Sequence, residues 1–235
     1  MSLPVATQTL NPIQPVYCET PPVVGQVYPL PFELVNSVSS LIPTIFALLA
    51  LWYMMKQKVR RYDLYLLVAL LFSVGIGSAL WHGWRTSLFL TLDVIPGLLF
   101  LLCFTLLWPA YLRGRWWAYG TFFALFALQF ISFQLIRLMP VDGPPISFFV
   151  GLFVLGAVLM YFTWRDAGKT AFWWGTASVM AATAAAVFRS IDGIACAYIP
   201  FGSHFLWHVF LGFSAYCGIV LLVKIHQAKP VDKEA

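Results

Sequence analysis

The sequence predicts an all-α protein: a bundle of seven transmembrane helices, with the N-terminus outside and the C-terminus in the cytoplasm. Composition is the first reason. Of the 235 residues, 61% are hydrophobic and only 10% are charged, against about 25% charged in soluble domains. The second is the mean hydropathy of +0.83, which suits a chain whose apolar surface faces lipid rather than a buried core. The third is segmentation. A helix rises about 1.5 Å per residue through a hydrocarbon layer about 30 Å thick, so a span needs roughly 20 apolar residues. Seven stretches meet that length, near 34–55, 63–82, 88–110, 116–138, 146–164, 170–189 and 204–225. Long continuous apolar runs favour helices over a barrel, because each helix satisfies its own backbone in lipid.

Before the first stretch, residues 1–32 form a zone of their own. Pro4, Pro12, Pro15, Pro21, Pro22, Pro29 and Pro31 fall within it and forbid a regular helix. An irregular outer cap or arm is expected, part of it held in place around Cys18 and Glu19. The zone shows no basic stretch followed by an apolar run, so no cleaved signal peptide is expected. The membrane domain then covers 33–226 and a short cytoplasmic tail 227–235.

The connections set the orientation. Lys56, Lys58, Arg60 and Arg61 follow the first stretch, Arg113 and Arg115 the third, Arg165 and Lys169 the fifth, and Lys224, Lys229 and Lys233 the seventh. The other side holds only Arg85, Arg137 and Arg189. The positive-inside rule places the richer side in the cytoplasm. The same distribution explains the net charge of +5 as topology. No basic run with interleaved aromatics suggests a nucleic-acid surface. The tryptophans and tyrosines read mostly as interface anchors.

Ionisable residues within apolar spans are expensive and point to function. Glu33 opens the first span, His82 ends the second, Asp93 begins the third, and His204 and His208 begin the seventh. Given alternating directions, all five lie toward the outer side. His204 and His208 stand at i and i+4, on one helix face. With His82 they make a three-histidine set, the open ligand type of catalytic zinc, whose fourth position takes water. Zinc lowers the pKa of such a water to about 7. Ser78 is four residues before His82, on the same face, and is a candidate donor to an oxyanion. Asp93, across a short turn, is a candidate base for the water. Other readings share these residues. A histidine near a helix end also serves as an interfacial side chain, haem also uses histidines, and Ser78 in Gly75-Ile76-Gly77-Ser78 also suits close helix packing. His226, among the inner lysines, reads as interfacial. A retinal pump is disfavoured, since no lysine lies mid-span.

The set of motifs resembles the alkaline ceramidases, within a wider seven-span superfamily that includes the adiponectin and progestin receptors. The resemblance rests on Gly77-Ser78-Ala79-Leu80-Trp81-His82, Asp93-Val94-Ile95-Pro96 and His204-Phe205-Leu206-Trp207-His208. These match the family's Ser-x3-His, Asp-x2-Pro and His-x2-Trp-His in order. Tyr17-Cys18-Glu19 is similar to its Trp-Cys-Glu. The stretch from Phe32 to Ser39 is similar to its Glu-Phe-Trp-Asn-Thr-x-Ser-Asn, and Asp192 with Cys196 to its Asp-x3-Cys. The resemblance spans 17 to about 225.

It implies zinc held by His82, His204 and His208, assisted by Ser78 and Asp93, and hydrolysis of the ceramide amide to a sphingoid base and a fatty acid. It implies a disulfide between Cys18 and Cys196, on the outer side where disulfides persist; Cys103 and Cys217 would then be free packing residues. A calcium site near the first span is implied only in part. Glu19 and Glu33 match two of its ligands, but Val16 stands for an Asp and Pro21 for an Asn. Val94 stands where the family has an acidic residue, a departure that bears on substrate choice. The expected partner is a membrane lipid, in a bacterial inner membrane or an endomembrane, with the site toward the extracytoplasmic or lumenal side. The alternative, a lipid-sensing receptor or structural seven-helix protein braced by zinc, shares the same motifs.

Overall fold

A computed structural model describes residues 7–9, 16–22, 27–137 and 146–228. Pro4, Pro12, Pro15, Lys229, Lys233 and most of the expected tail lie outside the described residues. In the proline-rich zone, β1 (Thr7–Thr9) pairs antiparallel with β2 (Val27–Pro29), with Thr7 opposite Pro29. Prolines exclude a helix there but not a short edge pairing. The Leu30–Pro31 peptide is cis.

The rest is helical. α1 (Leu34–Ser39) and α2 (Leu41–Lys56) share the first apolar stretch and are separated at Ser40. Pro43, on the first turn of α2, has no N–H for the Ser39 carbonyl four residues back, which favours a break there. α3 (Tyr62–Trp84) and α4 (Ser87–Arg113) follow, joined by a tight turn. Thr86 caps α4 by accepting the Phe89 N–H at 3.4 Å. α5 (Arg115–Arg137) comes next. α6 (Ile146–Ser190) carries a non-helical Gly168, φ 83°, that parts it into two runs. These runs correspond to the two apolar stretches expected there. A short α7 (Asp192–Ala195) leads to α8 (His204–Ala228).

Among the described residues, five helical segments are long and apolar enough to cross a membrane. Many large apolar side chains on them are exposed, Leu48, Leu66, Leu88 and Val158 among them. In water this surface would be unfavourable; in lipid it needs no cover. α8 is central. Its Cys217, Ile219, Val220, Leu221 and Leu222 are fully buried, and Ile219, Leu221 and Leu222 share one apolar cluster with Met54 of α2 and Leu64 and Leu67 of α3. That apolar core fills one half of the bundle. Polar ties fasten its end: Asp63 accepts from Arg61 and from the Tyr111 hydroxyl, both at 2.9 Å. Most of the buried polar residues gather at the opposite end, where α1 begins, α3 ends, and α4 and α8 start.

Candidate metal centre

Close helix approach sets up the site. α3 passes α4 at Gly77, where any Cβ would collide with the Leu92 carbonyl and the Asp93 backbone nitrogen. Pro96 contributes. It has no N–H for the carbonyl of Leu92 four residues earlier, and Gly77 packs on that carbonyl. Ser78 and Asp93 are the neighbours of this contact, so the Ser78 hydroxyl faces the Asp93 carboxylate. On the side toward α2, Gly75 packs as tightly on Thr44 and the Ser40 carbonyl. This places Ser40 Oγ 3.1 Å from Ser78 Oγ.

The start of α8 is held just as firmly. Asp192 Oδ1 accepts the N–H groups of Ser203 at 2.8 Å and His204 at 2.9 Å, capping the helix. Its other oxygen accepts the Cys18 N–H at 3.1 Å. Cys18 and Cys196 are disulfide-bonded, with Cα atoms 5.3 Å apart. Gly202 sits beside them at φ 67°, and a side chain there would run into Asp192 and Cys18. The helix start and the Tyr17–Thr20 turn are thus fastened together, and Tyr17 stacks on His204 with ring centroids 4.0 Å apart. Burial pushes the Tyr17 phenol above the usual tyrosine range, against the pull of the Arg189 guanidinium. It remains neutral at physiological pH.

His82, His204 and His208 converge from α3 and α8. Each is at most 3% exposed, and one candidate ligand atom from each lies within 4.8 Å of the others. Their second ring nitrogens test the fit to a metal. His82 Nδ1 is hydrogen-bonded to Glu33 Oε2, and His208 Nδ1 is 2.9 Å from the Ser39 hydroxyl. Such outer partners fix ring orientation and leave Nε2 for an ion. His204 Nδ1 is buried with no partner. Buried polar atoms are normally satisfied, so that nitrogen fits the role of a metal ligand. Three buried imidazoles converging on one space suit a borderline cation such as zinc. His226 lies at the other end of α8, beside Tyr111.

A protein-family model described as Ceramidase matches residues 17–234. The chain belongs to the ceramidase family. It is a multi-pass membrane protein and a ceramidase-like hydrolase of amides, with a lipid substrate and three histidines able to hold a metal ion. No curated protein matches the chain.

The structure brings five expected residues together: His82, His204, His208, Ser78 and Asp93. Glu33 and Glu19 sit nearby in other company. Glu33 contacts His82 and Arg85. Glu19 accepts the Val35 N–H at 2.6 Å and the Asn36 N–H at 2.9 Å, at the start of α1, where a carboxylate is favoured by the helix dipole. Val94 is exposed, at 42%. Sequence reasoning missed Arg85, which counted only as an outer-side charge. Its position three residues after His82 is the signal that would have placed it on the same helix end. Ser39 and Ser40 were missed as well, although two adjacent hydroxyls in an apolar stretch are themselves a signal.

Proposed function

We propose that this chain is a zinc-dependent intramembrane amidohydrolase that cleaves ceramide, or a closely similar sphingolipid amide, to a sphingoid base and a fatty acid. The buried three-histidine cluster carries the reading, in a chain of the ceramidase family. Zinc bound to His82, His204 and His208 would supply Lewis acidity to the amide carbonyl and acidify the attacking water.

The other roles fall to the chain's own residues. Asp93 takes the proton of the attacking water and returns it to the departing amine. Ser78 donates its hydroxyl to the oxygen that gains charge as the carbonyl becomes tetrahedral. Ser40, next to Ser78, holds that hydroxyl in place. Seven crossings result when α5 and the two runs of α6 are counted separately. The basic loops then put the C-terminus in the cytoplasm and the site on the outer side.

A direct test is fatty-acid release by the purified chain from a panel of lipid amides and esters. Ceramide should be cleaved, and His208→Ala should abolish cleavage. Full activity in that variant would rule the mechanism out. No hydrolysis of any lipid in the panel would favour a receptor or structural role.

A further inference from the structure

The Glu33 carboxylate lies at the heart of a buried polar knot. Glu33 is 0% exposed and Arg85 is 1% exposed. Arg85 Nη1 donates to Glu33 Oε1 at 2.7 Å, and Thr20 Oγ1 donates to the same oxygen at 2.5 Å. Oε2 holds His82 Nδ1, with Asn36 Nδ2 at 3.5 Å. The main chain repeats the tie: the Glu33 N–H donates to the His82 carbonyl at 3.1 Å, and the Phe32 N–H to the Gly83 carbonyl at 3.0 Å. Arg85 adopts a left-handed conformation, φ 51°, at the C-cap of α3. A non-glycine residue is rare there, and such backbone persists where the surroundings enforce it. The turn folds the side chain back beneath the helix. Its guanidinium then lies 4.3 Å from the Trp81 ring and 5.7 Å from the Tyr17 ring.

These contacts disagree with a calcium ion at Glu33. Calcium takes about 6–8 oxygen ligands. Around Glu33 the cationic partner is a guanidinium, the second oxygen is taken by an imidazole, and Glu19 faces the amides of α1. Val16 and Pro21 offer no side-chain oxygen. A dication there would also face the Arg85 charge at close range.

We propose that Arg85 is the resident cation of this carboxylate, a positioning residue that fixes Glu33 on His82 Nδ1 and so turns His82 Nε2 toward the metal, making a calcium ion unnecessary. The proposal rests on the zinc reading above, but its test reads metal affinity rather than turnover. Outer partners of metal-bound histidines are worth about 10- to 100-fold in affinity, and an arginine fork fixes a carboxylate better than a lysine point charge does.

The experiment measures the zinc dissociation constant of the purified full chain by chelator competition, for wild type, Arg85→Met and Arg85→Lys, with thermal unfolding alongside. Wild type should bind zinc with the same affinity and melting temperature in buffer with added calcium and in buffer depleted of calcium beforehand. Arg85→Met should weaken zinc about 10- to 100-fold, and Arg85→Lys should recover part of the loss. Calcium-dependent zinc affinity in wild type, or a folded Arg85→Met with unchanged zinc affinity, would overturn the proposal. Should Arg85→Met not fold, Arg85→Lys decides: weaker zinc binding than wild type supports it, and equal binding overturns it. A wild-type chain that binds no zinc would instead overturn the metal reading itself.

Discussion

At the scale of residues, the site separates groups that would bind the metal from groups that would move protons. Asp93 is not among the three clustered ligands; it faces Ser78 from across the α3–α4 contact. Asp93→Asn keeps the shape and removes the base. Zinc content should stay near that of wild type, while the hydrolysis rate drops at least ~10²-fold. An unchanged rate would remove Asp93 from the chemistry. Ser78→Ala should cost about 10²–10³-fold in rate, the usual effect of losing one oxyanion donor, again with zinc retained. The five ionisable residues were legible because charge and imidazole stand out in apolar sequence. Their partners were not. Arg85 looks like any loop arginine until the left-handed turn buries it, and a backbone angle of that kind has no residue signature outside glycine, asparagine and aspartate. Tyr17, far from α8 in sequence, meets His204 through the Cys18–Cys196 disulfide and the Asp192 hydrogen bonds beside it.

At the scale of elements, the helices were legible and their joints were not. Long apolar runs identify α3, α4 and α8 to within three residues at every end, little more than the usual uncertainty of helix ends. The break at Ser40 left a trace in Pro43, yet a proline in the first turn of a helix is also ordinary. Joints matter because they aim side chains. Gly77 lets α3 touch the backbone of α4 beside Asp93. Gly77→Ala must push the two helices apart, with an expected loss of about 1–3 kcal/mol from overpacking. The activity should fall as well, because Ser78 and Asp93 separate. Thermal unfolding and hydrolysis measured on the same sample check both halves; a stable, fully active Gly77→Ala would show that the contact does not position the site. The start of α8 depends similarly on Cys18 and Cys196. Replacing both with serine should lower thermal stability by an amount on the order of 2–5 kcal/mol and loosen the Tyr17 stacking on His204. Zinc retention during dialysis reads the second effect, and unchanged retention would confine the disulfide to a stability role.

For the whole molecule, the division of labour follows the long axis of the bundle. Apolar packing around α8 fills one half, and the buried polar network occupies the other. Membrane character was legible from composition alone, because charge this sparse has no other stable use in a helical chain of this length. The convergence of residues from four helices on one end was legible too, from alternating span direction. The identity of the neighbours across each helix pair was not, since apolar faces in lipid carry little amphipathic signal. The topology predicts that a reporter fused after Ala235 is cytoplasmic and that Cys18 and Cys196 face the oxidising side. The central claim is narrower: His82, His204 and His208 bind one zinc ion. Zinc content per chain, measured on purified wild type and His208→Ala side by side, tests it most directly. The account predicts about one zinc per wild-type chain and little in the variant. A metal-free wild type, or equal zinc in both proteins, would contradict it.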